Sequence, residues 1–238
     1  MVVWEKFAPY SQINFEPEPR VSSTRGPTFA SAVGSFDIET TRFPEIEQSA
    51  MYIWQFCLDF PDGHDVVILG RTWGEFSHCL MALKQRLKGL HLMVYIHNAS
   101  YEFQFLSGVY HFKDSEVFIL EGRSILYFRM YQLFEFRCSY KLTNMGLAEA
   151  TKKYAPDFHK KEGSDFGYEE RRFSDTPLTR KQLLYCVYDV WGCCKVVRAL
   201  MKLFDDTIYT IPYTSTGYVR REAKKAMREH YAVLKHSW

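Results

Sequence analysis

From Val33 to Tyr140 the chain alternates short runs of β-branched and aromatic residues with stretches of helical periodicity. VGSFDIET, MYIWQFCLDF, VVILG, HLMVYIHN and LFEFRCSY read as strands, because such side chains fit a pleated, half-buried surface. VFILEGRSILYFRMY reads as a hairpin turning at Glu121–Gly122–Arg123. Between VVILG and HLMVYIHN, Phe76, Leu80, Leu83 and Leu87 stand near helical spacing. A short helix begins near Ser100, and a long one runs from about Leu178 to Leu203. Pro177 and Thr179 suit the start of that long helix, and Leu183, Leu184, Val187, Val190 and Val197 give it an apolar face. The order strand, strand, strand, helix, strand, helix, hairpin, strand, loop, helix predicts an α/β protein: a mixed sheet with helices on its faces.

Composition sets the outer limits. Of 238 residues 47% are hydrophobic, enough for one large core or two small ones. A disordered, collagen-like or coiled-coil chain is excluded. The longest apolar runs fall short of the roughly 18 residues a membrane span needs. The N-terminus holds Glu and Pro where a signal peptide would have its apolar core. The expectation is a soluble cytoplasmic protein. Cys57, Cys79, Cys138, Cys186, Cys193 and Cys194 form no C-x2-C pair and read as buried free thiols. The net charge of +2 leaves room for a locally basic groove. Residues 1–32 read as a loop-rich extension, Lys152 to Asp175 as a long polar excursion, and the tail after Asp206 as a loop and a basic helix.

Chemistry enters with carboxylates in apolar settings. Asp37 and Glu39 flank Ile38, and a period of two brings both to one face of their strand. A buried acid pair is costly unless it reaches solvent or binds a cation, and hard carboxylate oxygens suit Mg2+ or Mn2+. Tyr185 and Asp189, four residues apart, share a face of the long helix. Glu102 opens the short helix after HLMVYIHN and would meet Asp37 and Glu39 if the two strands are neighbours. Taken singly, Asn98 also reads as a helix cap and Glu102 as a solvated first-turn acid. A second D-x-E at Asp114–Glu116 and a second Y-x3-D at Tyr110–Asp114 lack strand and helix context and read as chance matches.

DIETT (Asp37 to Thr41), HNASYEF (His97 to Phe103) and YCVYD (Tyr185 to Asp189) resemble, in this order, the three exonuclease motifs of the DEDD 3′→5′ exonuclease superfamily. More narrowly they resemble the proofreading domain of protein-primed family B DNA polymerases of phage and plasmid type. The likeness covers roughly residues 33 to 205. CSYKLTNMGLAEA is similar to the family's single-strand-binding segment, with Tyr140 where Leu is usual, and KKEGSDF around Lys161 is similar to its lysine segment. IPYTSTGYVRREAKK resembles the stretch leading out of the exonuclease domain, so residues 206–238 would be a linker and basic helix. Two departures stand out. Glu102 occupies a position where the family usually has Asp, and the family's polymerase motifs are absent.

The resemblance implies a ribonuclease H-like fold, with two divalent ions, Mg2+ or Mn2+, held by Asp37, Glu39, Glu102 and Asp189. Tyr185 would orient the attacking water. Thr40, Asn98, Tyr101, Ser139 and Tyr140 would hold a single-stranded DNA 3′ end, with Lys161 near the scissile phosphate. A polymerase domain or chain would be supplied separately, and no membrane is involved. Without the family these residues have plainer readings: core or rim aromatics, a strand-end serine, solvated lysines. A free-standing DNA or RNA exonuclease, and a single-strand-binding module without turnover, are the competing functions.

Overall fold

The computed structural model describes residues 2–5, 9–20, 26–120, 124–158 and 170–236. Eight strands form one sheet: β1 (Val2–Glu5), β2 (Phe29–Phe43), β3 (Gln48–Asp59), β4 (Val66–Gly70), β5 (His91–Ile96), β6 (Val117–Leu120), β7 (Ser124–Met130) and β8 (Phe134–Cys138). Their spatial order is β1-β4-β3-β2-β5-β8-β7-β6. The sheet is mixed: β2 runs antiparallel to β3 but parallel to β5, and β5 is parallel to β8. The helices are α1 (Trp73–Leu87), α2 (Ala99–Leu106), α3 (Ser139–Thr143), α4 (Leu147–Tyr154), α5 (Arg180–Leu203) and α6 (Ser215–His236).

Period-two alternation divides the apolar residues between two cores. Ala32, Phe36 and Ile38 of β2 join Trp54, Phe56 and Leu58 of β3 on the face that α1 covers. Val33, Cys57, Met93 and Tyr95 join Cys186, Val190 and Val197 of α5 on the other. Capping boxes start both long helices: Thr72 with Glu75 on α1, Thr179 with Gln182 on α5. At the end of β4 the Trp54 ring lies so close to Gly70 that a Cβ there would come within 2.2 Å of it, so the position requires glycine.

Several elements depart from the sequence expectations. β1 pairs in parallel with β4, so the first residues are part of the sheet. β2 begins at Phe29, inside a stretch expected to be loop. Ser139 and Tyr140 leave the strand and open α3. Lys152 to Tyr154 end a helix rather than begin an excursion. The hairpin strands β6 and β7 pair as expected, while their turn, residues 121–123, lies outside the described residues. All six cysteines are free and buried, and no described helix is long and apolar enough to cross a membrane.

A charged clamp fixes the rotation of α5. Lys195 bridges Asp59 at 2.6 Å and Asp65 at 2.8 Å, and Arg198 Nε donates to Asp59 Oδ1 at 2.6 Å. The Trp191 indole donates to Asp65 Oδ2 at 2.6 Å. These contacts tie α5 to the ends of β3 and β4, and the turns before them carry Asp189 and Tyr185 over β2.

Candidate metal centre

Phe36 and Ile38 turn into the α1 core. The intervening Asp37, with Ser35 and Glu39, therefore faces α5. A register shift between Glu39 and Thr40 interrupts the β2–β3 ladder just beyond the pair. Asp189 on α5 is 6% exposed. One carboxylate oxygen from each of Asp37, Glu39 and Asp189 lies within 4.8 Å of the others, a spacing that can hold a metal ion.

Glu102 arrives by a separate route. β5 is the parallel neighbour of β2, with Tyr95 opposite Ser35. The chain leaves β5 through Asn98, whose φ of 73° lies in the left-handed region, and enters α2 at once. Asn98 is the residue before the helix, but its exposed side chain makes no capping hydrogen bond. Glu102, in the first turn of α2, is 3% exposed, which removes the solvated reading. Its Oε2 has no hydrogen-bond partner among the described residues. Burial pushes its carboxyl well above the usual carboxylate range, and the neighbouring Asp37 pushes it further.

The four carboxylates line a cavity of about 270 Å³ together with Ser35, His97, Tyr101, Leu147, Tyr185 and Cys193. No Lys or Arg is among its described lining residues. The local field is correspondingly negative. The Cys186 thiol is raised well above its ordinary value by burial and then by Glu39, Asp37 and Asp189. This donor set fits a hard divalent cation: three clustered oxygens and a fourth, buried carboxylate with an unsatisfied oxygen.

The remaining expected residues divide by position. Tyr185 and Tyr101 line the cavity. Tyr101 is 38% exposed, and its hydroxyl lies 2.6 Å from Thr40 Oγ1. Tyr140 is 44% exposed on the rim, its ring edge-on to His97 at 5.8 Å. Ser139 is buried behind it, with Oγ 3.0 Å from His97 Nδ1 and 3.4 Å from Cys193 Sγ. Lys161 lies outside the described residues. Asp114 and Glu116 form a 3-10 turn whose residues do not line the cavity.

Sequence reasoning missed two side chains here. Gln55 sits opposite Asp37 on β3, fully buried, and donates from Nε2 to Asp37 Oδ2 at 2.6 Å. Its signal was a lone amide in the apolar run MYIWQFCLDF. His97 lines the cavity and holds Ser139, and nothing in its spacing distinguished it.

No protein-family model and no curated protein matches the sequence. Solved structures do. Phi29 DNA polymerase complexed with single-stranded DNA is similar at a TM-score of 0.59 and 13% identity, over 77% of this chain and 32% of that one. The same polymerase with primer-template DNA and incoming nucleotides gives 0.56 and 11% over 72% and 31%, and its orthorhombic crystal form 0.55 and 11% over 77% and 32%. The chain thus spans about a third of the polymerase it matches. The fold is ribonuclease H-like: a mixed sheet flanked by helices, shared with part of phi29 DNA polymerase.

Proposed function

We propose that the chain is a divalent-metal-dependent 3′→5′ exonuclease acting on the 3′ end of single-stranded DNA. In this reading residues 33–205 are the nuclease domain, equivalent to the proofreading part of a protein-primed family B DNA polymerase. Residues 1–32 extend it, and residues 206–238 lead towards a polymerase domain or chain supplied separately. The observation that carries the proposal is the approach of Asp37, Glu39 and Asp189 to within 4.8 Å, with buried Glu102 beside Asp37, in a polymerase-related fold.

Asp37, Glu39, Glu102 and Asp189 would hold two ions, Mg2+ or Mn2+. When bound, such ions lower the pKa of water and offset charge on the departing 3′ oxygen. The chain's own groups do the rest. Gln55 fixes the Asp37 carboxylate through its amide. Tyr185, one helical turn before Asp189 and lining the same cavity, offers a hydroxyl to orient the attacking water. Tyr101, braced by Thr40, and Tyr140 present exposed rings at the rim for base stacking, worth about 1–3 kcal/mol per base in comparable sites. Asn98 is exposed where the strand would pass, Ser139 supports the rim through His97, and Lys161 would face the scissile phosphate.

A 3′-labelled oligonucleotide incubated with Mg2+ or Mn2+ tests the proposal. The wild type is expected to shorten it, and Asp37→Ala to lose at least about 10²-fold in rate, the scale set by misplacing a reacting group. Equal signal from the two proteins would remove catalysis. Glu102 motivates a second reading, a single-strand-binding module. Its side chain is one methylene longer than the family's usual Asp, and its raised pKa opposes ligation in the ionised form. An electrophoretic shift without cleavage would favour that reading.

A further inference from the structure

The cavity poses an electrostatic problem that the rest of the molecule must solve. A polyanion has to approach four carboxylates whose described lining supplies no Lys or Arg. Basic residues elsewhere ease that approach: beside Lys161, which the nuclease reading assigns to the phosphate, α6 concentrates them. Between positions 220 and 228 stand Arg220, Arg221, Lys224, Lys225 and Arg228, opposed in that span only by Glu222. At 3.6 residues per turn the five bases fall within an arc of about 140°. They line an open concavity of about 530 Å³, completed by Gly217. Residues 222–228 are exposed on every side of the helix.

The root of the helix is fixed beside the cavity rim. Asn144, which caps the end of α3, donates from Nδ2 to Ser215 Oγ at 2.7 Å. Tyr218 is buried and stacks on Phe204 at 4.1 Å, and Arg221 pairs with Asp206. α3 carries Ser139 and Tyr140 of the rim. The basic arc therefore starts next to the α3 side of the cavity rim.

We propose that the Arg220, Lys224 and Arg228 row of α6 is a phosphate-binding rail for single-stranded nucleic acid outside the cavity. This rests on the nuclease reading for the identity of the strand. Successive members of the row rise by roughly 6 Å along the helix, so the row grips a strand several nucleotides long and leaves one confined to the cavity alone. The opposite arc carries the acidic Glu222 with Val219, Ala223, Ala226 and Met227. Helices that lie on membranes use Trp, Phe and Leu there. The charge complementarity favours nucleic acid.

The test measures binding of fluorescent oligo-dT of 4 and 16 nucleotides to full-length protein carrying Asp37→Asn, between 50 and 200 mM salt. Adding Arg220→Gln, Lys224→Gln and Arg228→Gln is expected to weaken the 16-mer by at least about 10-fold at low salt. The log–log salt slope should fall by roughly 2, at about 0.7 per lost phosphate contact. The preference for 16 over 4 nucleotides should shrink, and Arg220→Lys with Arg228→Lys should restore it. An unchanged slope and length preference overturns the rail, as does tighter binding of α6 to anionic phospholipid vesicles than to the 16-mer. Cleavage by the wild type with an unchanged slope sinks the rail alone. A changed slope without cleavage sinks the nuclease reading and keeps the rail.

Discussion

On β8 and in the first turn of α2 the molecule buries glutamates in opposite ways. Glu135 on β8 is 1% exposed. Arg137 donates to its Oε1 from Nε at 2.8 Å and Nη2 at 2.6 Å, Arg129 donates to Oε2, and the Tyr213 hydroxyl donates at 3.1 Å. Burial would raise its carboxyl, but the Arg137 charge and these hydrogen bonds outweigh that and hold it below its ordinary value. Glu102 is buried almost as deeply, beside an acid, and is pushed up. The same pairing as at Glu135 recurs at Asp59, with Lys195 and Arg198, and at Asp206, with Arg221. Where a carboxylate serves the architecture, the chain supplies the cation. Around the cavity the described lining gathers four carboxylates and no Lys or Arg.

The most severe way to break this contrast is to remove a structural cation. Arg137 is 6% exposed and lies 4.0 Å over the Tyr213 ring as well as against Glu135. Arg137→Met leaves Glu135 buried without its nearest cation and with three of its five donated hydrogen bonds, and the expected cost is about 3–5 kcal/mol in urea unfolding. A loss below about 1 kcal/mol would mean that Glu135 is not held by its cations. The cavity should respond with the reverse sign. Asp37→Asn removes one charge from the pair with Glu102, so in chelator it should raise stability by on the order of 1 kcal/mol. Mn2+ at a hundred times its Kd should stabilise the wild type by about 2.7 kcal/mol and Asp37→Asn by much less. Equal stabilisation of both proteins would show that the ion binds elsewhere.

That the two clusters differ could be read only partly from sequence. Period-two and period-four spacing brought Asp37 with Glu39 and Tyr185 with Asp189 onto common faces, because those relations are local. Thr179 was legible as the start of α5 for the same reason. Glu102 was legible only through the family resemblance: taken singly, a first-turn acid satisfies the helix dipole in water or out of it, and the parallel docking of β5 on β2 is what buries this one. Gln55 meets Asp37 through cross-strand register, which the run itself does not encode. β1 was hidden by its length of four residues and by a partner strand some sixty positions away. The charges of Glu135 and Arg137 were visible two apart on a strand, yet Tyr213, which completes their network, comes from the far side of α5 in sequence.

The finest probe of the contrast is pH. Glu135 has a folded pKa below its unfolded value, near 4.5. Its contribution is complete above that value and is lost as pH falls through the folded pKa. Glu102 has a folded pKa above its unfolded value, also near 4.5. Its neutral form is favoured in the folded chain, so its contribution is complete below about that pH and is lost as pH rises through the folded pKa. The two effects act on opposite sides of the unfolded value. Metal-free protein is therefore expected to be more stable at mildly acidic pH than at pH 8, and to lose stability again well below 4.5. One kcal/mol moves the Tm of a chain of this size by roughly 2–4 °C, so a thermal scan resolves the slope. Asp37→Asn should flatten the alkaline side and leave the acid side intact, since of the two glutamates Glu102 is the one beside Asp37. Arg137→Met should do the opposite. If both substitutions alter the same limb, the two carboxylates are coupled, and the separation between architectural and ion-binding acids fails.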